Sequence, residues 1–214
     1  MPFRRAERAA DRRARRSEVD DPAVVAEAAA AFLAVRSRSV GETRRRLRHL
    51  GYPAGIVEQV LARLMELGIL DDAAFARAWV ESRDRARPRG ESALRHELAL
   101  KGVDRAIVDE LLAERAAASR SGEGPRAVNR GTDADAGDRR AVHRGMDAGH
   151  DDEELGVDEL AARRLLERRL PSLLREPDAR RRRQKAYALL ARNGFDPEVC
   201  RTVSASVPDA NGEN

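Results

Sequence analysis

The segment LRHLGYPAGIVEQVL, Leu47 to Leu61, decides the fold, because its pattern returns twice. LALKGVDRAIVDELL, Leu98 to Leu112, follows at a spacing of 51 residues, and LARNGFDPEVCRTVS, Leu190 to Ser204, after a further 92. Leu47, Leu98 and Leu190 align, then Gly51, Gly102 and Gly194, then Tyr52, Val103 and Phe195, then Ile56, Ile107 and Val199. The pattern describes a helix, a tight turn and a second helix. The glycine suits a position just past a helix end, where φ is positive. Asp104 and Asp196 are placed to cap the helix that follows, with Pro197 in its first turn. In the first copy Pro53 stands where the cap belongs, so that start is less well specified.

A further helical pattern precedes each copy: AVVAEAAAAFLAVRSR, with Asp21 and Pro22 at its start, DAAFARAWVESRDR, and ELAARRLLERRL. No stretch alternates with the period of a strand. The predicted fold is all-α: three tandem three-helix repeats, nine principal helices, forming an elongated, curved, solenoid-like molecule. The units span 21–70, 71–118 and 155–207, with a basic tail at 1–20, a disordered linker at 119–154 and a short tail at 208–214. The leading tail holds seven arginines against four acids and has no apolar stripe, although it can form a helix. The linker has six arginines against nine acids and almost no large apolar groups, too little to offset ordering entropy.

The joint between the first two units is LGILDDAAFARAWVESR, Leu67 to Arg83. Here Gly68 loosens one helix end, and Asp71 or Asp72 caps the next helix. Phe75 and Trp79, four residues apart, share a face and are expected to pack in the unit core or at its boundary. Truncating Trp79 would then cost about 3–5 kcal/mol. The aromatics divide evenly: Phe32 and Tyr52, Phe75 and Trp79, Tyr187 and Phe195. That allocation favours core packing over base stacking, which needs exposed rings. Phe32, Gly51, Asp72, Phe75, Trp79, Gly102, Gly194 and Phe195 are thus structural residues.

Composition narrows the chemistry. The 214 residues are 36% charged and 3% aromatic, with a formal net charge of +4. Acidic partners are favoured, though only weakly. One cysteine, Cys200, excludes an internal disulfide; it fills a repeat position held by Val57 and Val108 and reads as a small buried hydrophobe. No apolar run is long enough to span a membrane, and a cytoplasmic location is expected. His49, His96, His143 and His150 occupy no equivalent positions, and no phosphate-binding or dinucleotide loop is present. No enzyme activity, metal or cofactor is expected.

The arginines are the candidates for binding. Arg36 and Arg38 precede Gly41, and Arg44, Arg45, Arg46 and Arg48 decorate the next helix. Arg83, Arg85, Arg87 and Arg89 alternate before Gly90, and Arg180, Arg181, Arg182 and Arg183 lead into the last helix pair. Basic residues therefore recur before the second helix of all three units. Such clusters can meet phosphates or acidic protein surfaces through charge-assisted hydrogen bonds.

VRSRSVGETRRRLRHLGYP, VLARLMELGILDDAAFARAWVESR, GESALRHELALKGVDRAIVDELL and RRRRQKAYALLARNGFDPEVCRTV together resemble the RecX family of recombinase regulators. L-D-D-x2-F-A-x2-W-V-x-S-R is the specific part. The inserted linker departs from the compact family pattern and leaves the placement of the third unit open. The resemblance implies a regulator, expected to be a monomer, that binds in the groove of the RecA–DNA filament. It would restrain strand exchange, ATP hydrolysis and stimulated repressor self-cleavage, touching DNA indirectly or weakly. The alternative is a freestanding helical nucleic-acid-binding module with no recombinase partner.

Overall fold

The computed structural model describes residues 3–120 and 156–208. These residues form ten helices and no strand. Helix α1 (Phe3–Ser17) precedes three units: α2 (Pro22–Leu33), α3 (Val40–Leu50) and α4 (Ala54–Glu66); α5 (Asp72–Ala86), α6 (Glu91–Lys101) and α7 (Arg105–Arg120); α8 (Val157–Leu173), α9 (Ala179–Arg192) and α10 (Pro197–Ala205). The expected linker falls outside the described residues, except that α7 runs on to Arg120.

The repeated glycine does what its spacing predicts. Gly51, Gly102 and Gly194 have φ of 103°, 81° and 79°. In each copy the glycine N–H donates back three residues, to Arg48, Ala99 and Ala191, and the next N–H reaches five back, to Leu47, Leu98 and Leu190. This paired bond pattern closes the helix end. The residue after each glycine, Tyr52, Val103 or Phe195, is buried. Asp104 and Asp196 accept from Ala106 N and Glu198 N, both at 2.8 Å, and Pro53 offers no side-chain cap.

Each unit encloses its own apolar cluster. Val25, Ala29, Leu47, Val57 and Leu61 centre the first, Phe75, Ala76, Leu94 and Leu98 the second, and Ala162, Ala186, Leu190 and Cys200 the third. Cys200 is buried, and its Sγ lies 3.5 Å from Phe195 O. Burial raises its thiol pKa, with Asp196 adding to the effect.

Two expectations change. Helix α1 makes a tenth helix. Its small side chains Ala10, Ala14 and Ser17 line a groove shared with Gly51 and Tyr52, while Arg13 packs against Gly51 and Arg16 lies 5.6 Å over the Tyr52 ring. The aromatics are also less uniformly core than their even allocation suggests. Tyr52, Phe75 and Phe195 are buried, whereas Phe32, Trp79 and Tyr187 are half-buried. Arg38 lies 4.3 Å over the Phe32 ring. Arg83 and Lys101 lie 4.4 and 4.7 Å over Trp79, whose Nε1 donates to Glu97 Oε2 at 2.9 Å. Trp79 therefore has apolar packing on Phe75 and a polar, cation-covered outer side. Trp79→Ala should cost roughly 2–3 kcal/mol, below the range for a fully buried ring. A denaturant midpoint shift equivalent to less than about 1 kcal/mol would contradict that packing.

The units are joined by one device used twice. At the first joint the start of α3 meets the end of α6. Ser39 Oγ donates to Lys101 O at 2.6 Å, and Val40 N donates to Asp72 Oδ1 at 2.9 Å. At the second joint the start of α6 meets the end of α9. Gly90 N donates to Asn193 O at 3.0 Å, and Glu91 N donates to Asp158 Oδ2 at 2.9 Å. Asp71 is thus the cap of α5, accepting from Ala74 N, while Asp72 serves α3 of the preceding unit. Burial raises the Asp72 pKa against the opposing pull of the Val40 amide. The third unit, left unplaced by the sequence, is held to the second by these bonds.

Candidate partner-binding surface

The structure sorts the candidate arginines by what already holds them. In the first unit Arg36 pairs with Glu42 at 3.1 Å, and the same carboxylate takes Lys101 of the second unit at 3.0 Å. Burial pushes the Glu42 carboxyl up, but the bonds from Lys101 and Arg36 together outweigh it and hold the group below its ordinary value. Arg38 is committed to Phe32. Arg44 forms a two-pronged pair with Glu58 on α4, at 2.8 Å through both Nε and Nη2. Arg95 reaches Asp109 on α7 through Nη1 alone, its Nε and Nη2 going to Glu91, and both members of the pair sit 51 residues beyond Arg44 and Glu58. Arg45 donates to Leu100 O and Lys101 O, closing the end of α6 from the neighbouring unit. Arg48 is exposed.

In the second unit the four alternating arginines split in two. Arg83 Nε donates to Glu97 Oε2 at 2.6 Å. Arg89 Nη1 donates to Asn193 Oδ1 at 2.6 Å, and its Nε lies 3.4 Å from Glu97 Oε1 without hydrogen-bond geometry. These two are structural. Arg85 and Arg87 are exposed; Arg85 touches only Glu81, weakly, and the Arg87 side chain makes no hydrogen bond or ion pair among the described residues. In the third unit Arg181 and Arg183 are exposed on α9.

Arg182 leaves the candidate set. It is fully buried, and its guanidinium donates to Glu176 O, Pro177 O and, at 2.5 Å, Pro208 O. By the repeat spacing it occupies the position of Ser39 and Gly90, the start of the middle helix in the other units. Those residues meet the next unit; Arg182 fills the place with bonds to its own unit.

Sequence reasoning missed several residues of this surface. Lys101 and Arg115 carry the joints, Glu97 gathers Trp79 and Arg83 within the second unit, and Arg168 donates to Arg85 O and Ala86 O at the end of α5. Among the described residues no cluster of three or more metal-binding side chains occurs, and no helix is long and apolar enough to cross a membrane.

Three family models match the chain in order: the first three-helix domain of RecX over residues 27–64, the second over 71–112 and the third over 158–203. Regulatory protein RecX of Mycobacterium ulcerans is 33% identical over 177 residues, which cover 82% of this chain and 80% of that protein. Regulatory protein RecX of Prosthecochloris aestuarii is 42% identical over 83 residues, 39% of this chain and 55% of the relative. Several other relatives are likewise matched over about half their length, 44% for that of Mycolicibacterium smegmatis. The crystal structure of RecX from Lactobacillus salivarius superposes with a TM-score of 0.61 at 16% identity, covering 88% of this chain and 97% of that one. A second RecX crystal structure gives 0.60 at 18% identity, covering 86% and 72%. With its three units in register with the three RecX domains, the chain belongs to the RecX family of regulatory proteins.

Proposed function

We propose that this regulator binds the RecA–DNA filament as a monomer in the cytoplasm and restrains its recombinase, ATPase and coprotease activities without catalysis of its own. The observation that supports this reading is the continuity of the array: three units locked end to end by repeated polar joints, with Arg87 without a side-chain partner among the described residues and Arg85 held only weakly by Glu81 on the outside of the second joint. A ligand shifts an equilibrium only by its differential affinity for the two states. A stiff array that touches neighbouring protomers gains that difference, because their surfaces are in register only in the filament, where linked contacts act at high effective concentration.

The test is ATP hydrolysis by preformed filaments, titrated with protein at two salt concentrations. Arg85→Ala/Arg87→Ala should keep full helicity, since neither side chain holds the fold. Its half-inhibitory concentration should rise roughly tenfold, the loss of two exposed charge-assisted contacts. Unchanged inhibition by the folded variant removes this pair from the surface. No inhibition by the unaltered protein overturns the reading.

A further inference from the structure

At the second joint, beneath the loop from α5 to α6, lies an open hollow of about 510 Å³. Arg87 and Arg89 line it from the loop, Arg168 and Arg169 from α8, and Asn193 from the end of α9. No acidic side chain lines it, in a chain where acids nearly match bases in number, 37 against 41. In the repeats proper, Arg44 is neutralised by Glu58 and Arg95 by Asp109 at the equivalent positions. Here two of the four are not: neither the Arg87 nor the Arg169 side chain has a hydrogen bond or ion pair among the described residues. The other two are fixed. Arg168 is tied to Ala86 O and Arg85 O at 2.6 and 2.8 Å, and Arg89 to Asn193 at 2.6 Å. Leu165 and Leu189 form an apolar wall.

We infer that this hollow is a phosphate-binding site formed jointly by the second and third units, taking a phosphodiester of a nucleic-acid backbone or a free phosphate group of the same chemistry. Four arginines from two units line the hollow, two anchored and two without a partner among the described residues, and the forked donors of an unpaired guanidinium suit a tetrahedral anion. The fixed pair limits the entropy lost on binding, since those side chains are already ordered. A phosphate seated between Arg87 of the second unit and Arg169 of the third also ties the units together, so occupancy stabilises the joint. The site extends the filament reading by giving the chain a phosphate contact of its own, and it is measured without recombinase, so either proposal can fail alone.

The experiment uses the full chain and two probes, a fluorescein-labelled single-stranded oligothymidylate and pyrophosphate. The variant is Arg87→Glu/Arg169→Glu, which breaks no contact of the fold; its circular dichroism should match that of the unaltered protein. For the oligonucleotide, the slope of log K against log salt should flatten by about 1.4 in the variant, corresponding to two lost phosphate contacts on a single strand. Affinity at low salt should fall at least tenfold. For pyrophosphate, millimolar concentrations should raise the melting temperature of the unaltered protein and leave the variant unmoved. A response to the oligonucleotide alone assigns the site to nucleic acid, and a response to pyrophosphate alone assigns it to a free phosphate compound. The inference is overturned if the variant binds both probes as the unaltered protein does, or if the unaltered protein binds neither. It is equally overturned if a polyglutamate peptide displaces the oligonucleotide from both proteins with equal strength, since the hollow would then make no distinction for phosphate.

Discussion

Arg115→Met is expected to destabilise the protein by about 3–5 kcal/mol, the cost of removing one partner from a largely buried charge cluster. Arg115 leaves α7 and is only 10% exposed. It donates to both oxygens of Asp84 on α5, at 3.2 and 2.9 Å, and to Asp158 on α8 at 2.7 Å. Burial lowers its pKa, but the two carboxylates outweigh that and raise it. Asp158 is already in use, since its other oxygen accepts from Glu91 N. Removing the guanidinium would leave two carboxylates, 26% and 20% exposed, without the cation between them. Methionine retains much of the volume, so the loss isolates the charge. Urea melts give the size, and adding Asp84→Asn and Asp158→Asn to the same chain should recover most of it. A loss below about 1 kcal/mol would mean that solvent screens the cluster as it does a surface pair.

The second large effect comes from one carbon atom. In Gly90→Ala the new methyl group would lie closer than 3.0 Å to the backbone of Gly194 and Phe195, which cannot move aside as a side chain can. Gly90 has φ of −73°, so the backbone would accept alanine and the objection is steric. The expected loss is about 2–3 kcal/mol, the upper part of the overpacking range. It should concentrate at the second joint by breaking the Gly90–Asn193 bond. Trp79, the single tryptophan, reports on the second unit, while circular dichroism reports on all helices. The two melting curves should therefore separate in this variant as the third unit detaches. Gly55→Ala is the contrast. Nothing lies within 4 Å of that position, and alanine there should stabilise α4 by up to about 1 kcal/mol. Coincident melts with no loss for Gly90→Ala would show that the joint is looser than its geometry.

These effects were only partly legible in the sequence. Whatever repeats could be read: the glycine turns, the caps at Asp104 and Asp196, the uncapped start at Pro53 and the buried place of Cys200 each follow from three aligned segments. The same alignment carried an unused signal. Arg44 with Glu58 and Arg95 with Asp109 are paired positions at one spacing, and charge complementarity across them marks an intra-unit bridge. The joints were not readable in that way. Asp72 looks like a local cap, and its choice of Val40 N, 32 residues earlier, depends on how units stack. Arg182 shows the same limit, since a run of four arginines gives no sign that one faces inward. Arg168 and Arg169 lie on α8, outside the aligned segments, and only the approach of the third unit brings them to Arg87.

The head-to-tail meeting of middle helices has an electrical consequence. An α-helix carries roughly half a positive charge at its start and half a negative charge at its end. The end of α9 abuts the start of α6, and the end of α6 abuts the start of α3, so opposite partial charges face each other at both joints. The three helices therefore behave like bar magnets laid pole to pole, with two poles left over. At the negative pole, around Gly51, the basic helix α1 brings Arg13 and Arg16. At the positive pole Asp178 accepts from Arg181 N, and that amide bond holds its carboxyl below the ordinary range. Helix α1 thus docks where its arginines counter one end of a dipole that runs through the whole array.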